Sequence, residues 1–294
     1  MNIKRETYRK EKGWCDVMAV EEGWKQQEEE SFMEHLRKTH KTENTIRAYI
    51  EAVRQFYDRH KMITEQELHL YKLFLVEHYK PRTVNLRICA INSYLEYMEE
   101  REFRLSMVKI QQKPYLERVI SEADYEYLKT CLKRDGEWMY YFLIRYMAAT
   151  GMRVSEVVKV TVEDVKAGQK DIYSKDNKVR RVYIPKCLKK DTIQWLNREK
   201  KDSGSLFVND KGDLMTDAAI RGRLKKMAVI YGISESVMYP HSFRHRFAKS
   251  FMEYCGDISM LSDLLGHESI ETTRIYLRRT SVEQQQVVNL VVDW

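Results

Sequence analysis

Residues 240–276 run PHSFRHRFAKSFMEYCGDISMLSDLLGHESIETTRIY, and the rest of the chain is read outward from them. Their pattern predicts helices over 242–254, 258–265 and 270–278. His241 and Arg244 stand three residues apart, a spacing that puts both side chains on one helix face. Gly266 is placed to end a helix, which leaves His267 between two helices. Tyr276 follows nine residues later. On one unbroken helix, His267 and Tyr276 would point apart; the break at Gly266 removes that constraint. His245 adjoins the motif and is read as structural, turned away from His241.

Upstream, ATGMRVSE (residues 149–156) sets Arg153 just after a glycine-containing turn. Residues 171–174 and 179–184 flank a polar turn at Asp176-Asn177 and read as a β-hairpin, with Lys175 at its tip. Two guanidinium groups match the oxygens of a phosphodiester. A tyrosine hydroxyl is a nucleophile once a neighbour takes its proton or stabilises its anion. A lysine at a hairpin turn is placed to protonate a departing oxygen. Such a set neutralises the charge on a reacting phosphorus without a metal.

Other chemistries lack their residues. The sequence has no GxxxxGK[ST] loop, no HExxH, no Cys/His cluster and no GxSxG elbow. The five cysteines are odd in number and form no CxxC pair, which argues against a disulfide framework or zinc knuckle. Neither a metal nor a cofactor is expected. No apolar stretch follows the charged N-terminus, and no apolar run is long enough for a membrane span. A reducing, cytoplasmic setting and no membrane partner are the corresponding expectations.

The 294 residues, with 43% hydrophobic and 32% charged, suit two domains with real cores. Only 11 Gly and 4 Pro interrupt them, which favours long helices. Residues 1–20 lack a clear apolar period and read as a flexible arm. Residues 21–103 carry four helical patterns and read as an all-α domain. The clearest, 42–60, has Ile46, Tyr49, Ile50, Val53, Phe56 and Tyr57 on one stripe. Thr64 and Glu67 form a capping box for the third helix, and Thr83 is read as capping the fourth. Residues 104–116 read as a linker, and 117–294 as a second domain, α-rich with one hairpin. The net charge of +7 is unevenly spread: residues 1–100 hold 17 Lys and Arg against 18 Asp and Glu, and the remainder holds 34 against 26. A basic excess in the second domain suits a polyanionic partner.

These segments resemble the tyrosine recombinase family, the phage integrases and Xer-like enzymes. ATGMRVSEVVKV looks like its first arginine box, IYSKDNKVRRVYIP like its lysine hairpin, and PHSFRHRFAKSFM with LLGHESIETTRIY like its second box. The resemblance implies a mainly α fold: a SAM-like core-binding domain, then an α-rich catalytic domain with a small sheet. It implies that Arg153 and Arg244 clamp the phosphate and that Lys175, with Lys178 as rival, is the general acid. His241 would then handle the tyrosine proton, His267 donate to the phosphate, Glu156 support the site, and Tyr276 be the nucleophile. Two positions depart from the family: Asp176 replaces a usual glycine, and Arg246 stands where a small hydroxyl residue is common.

The implied activity is site-specific recombination of double-stranded DNA through a 3′-phosphotyrosyl link, in a homotetramer on two duplexes, serving integration, excision, inversion or dimer resolution. The alternatives are a type IB topoisomerase and a non-catalytic DNA-binding regulator. Candidate DNA contacts in the second domain are Lys178, Arg180, Arg181, Arg221, Arg223, Lys225, Lys226, Arg246 and Lys249. In the first domain, Thr42, Asn44, Thr45, Arg47, Arg82, Thr83, Asn85 and Arg87 lie near helix starts, where phosphate is favoured. Val287, Val288, Leu290 and Val291 form an apolar face suited to docking on a neighbouring protomer.

Overall fold

Thr42 and Thr64 open helices as their spacing predicts. Each is extended, and each hydroxyl accepts a backbone N–H three residues on, from Thr45 and Glu67. That satisfies a donor which the first turn of a helix leaves without an intrahelical partner. The computed structural model describes residues 7–9, 14–16, 18–19, 24, 26–110, 118–173, 179–277 and 289. The chain divides into two units, Met1–Gln112 and Lys113–Trp294.

The first unit begins with three short strands, β1 (Thr7–Arg9), β2 (Trp14–Asp16) and β3 (Met18–Ala19). Antiparallel pairing joins β1 to β2, and β3 to β4 (Met62–Ile63). Part of the stretch expected to be a flexible arm is therefore paired to the domain. The body is four helices: α1 (Gln26–Lys38), α2 (Glu43–Tyr57), α3 (Glu65–His78) and α4 (Pro81–Tyr97). The α2 stripe enters the core as Ile46, Ile50, Val53, Phe56 and Tyr57, packed with Phe32, Leu36, Tyr71, Ile88 and Tyr94. The fourth helix starts at Pro81 rather than Thr83, because proline has its φ preset and no N–H to waste at a first helical position.

The expected linker is, in its first half, part of this unit. Asn92 grips Leu105 from both sides, donating to its carbonyl at 2.9 Å and accepting its N–H at 2.8 Å. Asn85 holds Val108 the same way at 3.0 and 2.9 Å. Two side-chain amides thus take the place of a partner strand, and Leu105 is buried. Such a strap has no helical period, which is why the sequence read as a loop.

The second unit contains α5 (Glu122–Arg134), α6 (Trp138–Thr150), α7 (Val154–Val157), α8 (Val162–Ala167), the antiparallel pair β5 (Gln169–Tyr173) and β6 (Val179–Tyr183), α9 (Lys186–Arg198), α10 (Asp217–Tyr231), α11 (Pro240–Tyr254), α12 (Ile258–Leu265) and α13 (Ile270–Thr273). A single 3₁₀ turn, Arg274–Leu277, follows. The apolar run in α6 is buried as read, with Leu143, Ile144, Tyr146 and Met147 fully enclosed. The helix α9 was not anticipated: its lysines mask an apolar face of Leu188, Trp195 and Leu196. Residues 278–288 and 290–294, which include the apolar face proposed for docking, lie outside the described residues. Among the described residues, no helix is long and apolar enough to cross a membrane.

Candidate active site

The site is built where two left-handed helix ends meet, at Gly151 and Gly266. Helix α6 ends at Gly151, whose φ of +65° is left-handed. A Cβ there would come within 2.5 Å of the Phe247 ring and 2.8 Å of Leu265. Only glycine meets both demands. The turn delivers Arg153 to the start of α7. Its N–H donates to Glu156 Oε2 at 2.7 Å and its guanidinium to Glu156 Oε1 at 3.0 Å. A further guanidinium N–H reaches the Gly266 carbonyl at 3.1 Å.

Arg244 comes from α11 and is 3% exposed. Its guanidinium donates to the carbonyls of Gly151 and Leu265, at the C-terminal ends of α6 and α12. It also donates to His267 Nε2 at 3.0 Å. An arginine has no acceptor, so Nε2 receives this bond and the neutral ring keeps its proton on Nδ1, facing Thr273 Oγ1 at 2.8 Å. His267 sits just past Gly266, whose φ of +62° closes α12.

A third guanidinium completes the cluster. Arg180, on β6, donates to Glu156 Oε2 and to the Leu265 carbonyl. It was expected to line a DNA channel on the surface. Instead it is mostly buried, and a Cβ on Gly266 would collide with it. Three arginines therefore gather around one carboxylate, leaving surplus positive charge in a dry place. That surplus charge bears on the ionisation of its neighbours. Burial, then the charges of Arg153 and Arg180, push Arg244 down to about 10. Burial, then Arg244, Arg153 and Arg180, push His267 down to about 4.

Tyr276 lies on the 3₁₀ turn and packs with Phe247 and Phe251 against Ala248, Leu261 and Leu265. Burial pushes its hydroxyl up to about 12, with Arg244 pulling the other way. The hydroxyl is bonded to His245 Nδ1 at 2.6 Å. This corrects the expectation for His245: residues four apart on a helix share a face, and the rings of His241 and His245 are 6.3 Å apart. The signal was in the spacing. His241 itself stands exposed in the first turn of α11. Its titration is lowered by partial burial and by Arg244, Arg221 and Arg153.

The structure brings Arg153, Arg244, His267, Glu156 and Tyr276 into one neighbourhood, with Arg180 and His245 added. Lys175 and Lys178 lie outside the described residues.

Many of the expected DNA contacts have partners within the protein. Arg181 pairs with Asp171, Arg221 with Asp217, and Arg223 with Glu137. Arg246 pairs with Glu122 and lies over the Tyr125 ring. In the first unit, Thr42 and Thr45 bond each other at the cap of α2, Asn85 is spent on the Val108 strap, and Arg87 stacks on Tyr79. Asn44, Arg47 and Arg82 are exposed, and Thr83 is half-buried. Lys225, Lys226 and Lys249 are exposed on α10 and α11.

Residues 118–283 match the phage integrase family, and residues 30–105 match the phage integrase N-terminal SAM-like domain. The chain belongs to the phage integrase family. It is 27% identical over 268 residues to the tyrosine recombinase XerA of Pyrococcus furiosus, covering 88% of this chain and 92% of that protein. It is likewise 27% identical over 274 residues to the tyrosine recombinase XerD of Vibrio cholerae, covering 84% and 89%. The fold resembles that of the XerH site-specific recombinase bound to palindromic difH in a post-cleavage complex. The TM-score is 0.70 at 18% identity, over 90% of this chain and 84% of that one. The Tn1549 transposon integrase in complex with transposon right-end DNA gives a TM-score of 0.69 at 14% identity, over 90% and 99%. The mainly α architecture, with its SAM-like first unit and small sheet in the second, is that of the family.

Proposed function

We propose that this chain is a site-specific DNA recombinase that breaks and rejoins double-stranded DNA through Tyr276. The observation that carries the reading is that Arg153 and Arg180 share the Glu156 carboxylate while Arg244, with no carboxylate bonded to it, lies close enough to both Glu156 and the Tyr276 hydroxyl to act on their charge. The cluster has more buried positive charge than it can neutralise, and a phosphodiester supplies the missing anion. Arg153 and Arg244 are placed to bond its non-bridging oxygens by exchanging carbonyl partners for phosphate. His267, next to Arg244, joins them as a third donor once the anion offsets the charge that now keeps it neutral. His241, in the first turn of α11, borders the same space.

Tyr276 attacks the phosphorus and forms a 3′-phosphotyrosyl ester. The 5′ oxygen leaves with a proton, which we assign to Lys175. The ester keeps the energy of the broken linkage, so rejoining needs no nucleotide hydrolysis and no cofactor. Exchange between two duplexes requires four such cuts, hence a homotetramer on two DNA sites. Integration, excision, inversion and dimer resolution share this chemistry, and work on DNA inside the cell places the enzyme in the cytoplasm. The exposed Asn44, Arg47, Arg82, Lys225, Lys226 and Lys249 are the candidates to hold the DNA backbone. Arg181, Arg221, Arg223 and Arg246 join them where DNA displaces their carboxylate partners.

The test is exchange itself. Duplexes that the protein captures covalently from a randomised library are cloned as a pair into a supercoiled plasmid. Recombinant circles are expected from the two-site plasmid, with no relaxation of a plasmid lacking sites. Efficient relaxation of the siteless plasmid without recombinants would overturn the reading.

A further inference from the structure

Helix α11 carries the phosphate-binding Arg244 and, one residue on, His245, whose Nδ1 is 2.6 Å from the Tyr276 hydroxyl. The two rings have centroids 5.7 Å apart, and His245 is half-buried. We propose that His245 is a further catalytic residue, whose Nδ1 orients the Tyr276 hydroxyl and takes its proton as the oxygen attacks phosphorus. This rests on Tyr276 being the nucleophile. The tyrosine-proton role that the family resemblance gives to His241 then passes to His245, because among the described residues it is His245 whose ring nitrogen is bonded to the Tyr276 hydroxyl.

Both partners are in the right state. Burial, then His241 and Arg244, push the His245 imidazole down to about 4, so its ring is neutral at pH 7 with a lone pair free. Tyr276 keeps its proton to about 12. The charged and titratable groups around the pair are His241 and Arg244 on α11, His267 after α12, and Tyr239 before α11. A phenol becomes acidic as its oxygen bonds to phosphorus, and the bound phosphate offsets the Arg244 charge that depresses the imidazole, which brings the base closer to the operating pH.

The step balances. The Oη–P bond forms and the P–O5′ bond breaks. The phenolic proton goes to Nδ1 of a ring already protonated at Nε2, and the 5′ oxygen takes a proton from the acid assigned to Lys175. On rejoining, the 5′-hydroxyl attacks and gives its proton back to that amine, while the imidazolium returns one to Oη.

The probe is a duplex from the covalent-capture library, nicked just beyond the scissile phosphate so that cleavage is trapped. Adduct formation is followed in single turnover from pH 6.5 to 9 with the full-length protein. His245→Phe is expected to slow it by about 100-fold or more at pH 7. Its rate should then climb close to tenfold per pH unit, because hydroxide must remove the proton, whereas the wild-type rate stays nearly flat. His245→Asn sets an oxygen near the place of Nδ1; it accepts the hydrogen bond but does not hold the proton. It is expected to bind DNA normally and to show the same steep profile. A wild-type rate and flat profile in either variant would overturn the proposal, since orientation alone would then suffice. Tyr276→Phe separates the layers. If it still forms adduct, the nucleophile assignment fails. If it abolishes adduct while both His245 variants cleave like wild type, only the role of His245 falls.

Discussion

Glu156 and Arg180 form an ion pair inside the second unit with 13% of each side chain exposed. Because Arg180 sits on β6 and also holds the Leu265 carbonyl, it bolts that strand to α7 and the end of α12. Glu156 is shared, since Arg153 holds its other oxygen. The pair therefore connects two motifs that are separate in sequence.

Removing Arg180 should destabilise the protein more than removing its neighbour. Arg180→Ala takes one of two arginine partners from Glu156 and the bond to the Leu265 carbonyl, while relieving part of the surplus positive charge, and should cost about 1–3 kcal/mol. Arg181→Ala breaks a largely exposed pair with Asp171 and should cost about 0–1 kcal/mol. Urea unfolding of both variants checks this. Equal losses would show that the Arg180 pair contributes nothing special.

The turn at Gly151 offers a second contrast. Gly151→Ala puts a methyl group into the Phe247 ring and forces an L-residue to a φ of +65°. Strain and overpacking together are expected to cost about 3 kcal/mol or more. At Gly136 the φ is +72° but nothing lies within 4 Å, so Gly136→Ala should cost only about 1 kcal/mol. Thermal unfolding of the two variants decides it. Phosphate-dependent functions should fail in the first variant even where it still folds, because Arg244 hangs on the Gly151 carbonyl.

Much of this was legible because the residues that carry chemistry also carry local structure. Gly266 ends a helix as its place in the sequence predicts, and Thr64 caps one, accepting the N–H of Glu67. What escaped notice depends on contacts between distant segments. Arg180 looks like any basic residue in VRRVY, and only the fold brings Leu265 and Glu156 to it. The Asn85 and Asn92 amides look like surface polar groups until a strap 13 or 23 residues away lies down on them. His245 was different: its spacing from His241 already placed it on the catalytic face.

Stability should fall as pH drops through the histidine range. His245 and His267 titrate at about 4 in the folded protein against about 6.5 unfolded, so the unfolded chain binds more protons in between. Their contribution is fully present above about pH 6.5 and is lost as the pH falls toward 4. Urea midpoints measured from pH 7.5 to 4.5 should decline with a slope approaching two protons. His245→Asn and His267→Asn should each remove up to one. A flat profile in the wild type would mean that these rings are charged in the native state.

The strap makes its own demand on the first unit. Asn92 is 8% exposed and loses two buried hydrogen bonds when changed to alanine, leaving Leu105 N–H and C=O unpaired. A cost of about 2–4 kcal/mol is expected. Asn85→Ala should likewise loosen Val108 while leaving DNA affinity, measured well below its unfolding temperature, unchanged. Amide hydrogen exchange at Leu105 and Val108 reads the first effect directly. Slow exchange surviving in both variants would show that the amides do not hold the strap.

The most direct measurement is chemical. Protein trapped on nicked DNA is digested with protease and nuclease, and the nucleotide-bearing peptide is sequenced by mass spectrometry. A single peptide carrying a 3′-phosphate ester on Tyr276, absent from Tyr276→Phe and from Arg244→Ala, is the expected result. A nucleotide on any other tyrosine, or an adduct formed without Arg244, would contradict the assignment of the site.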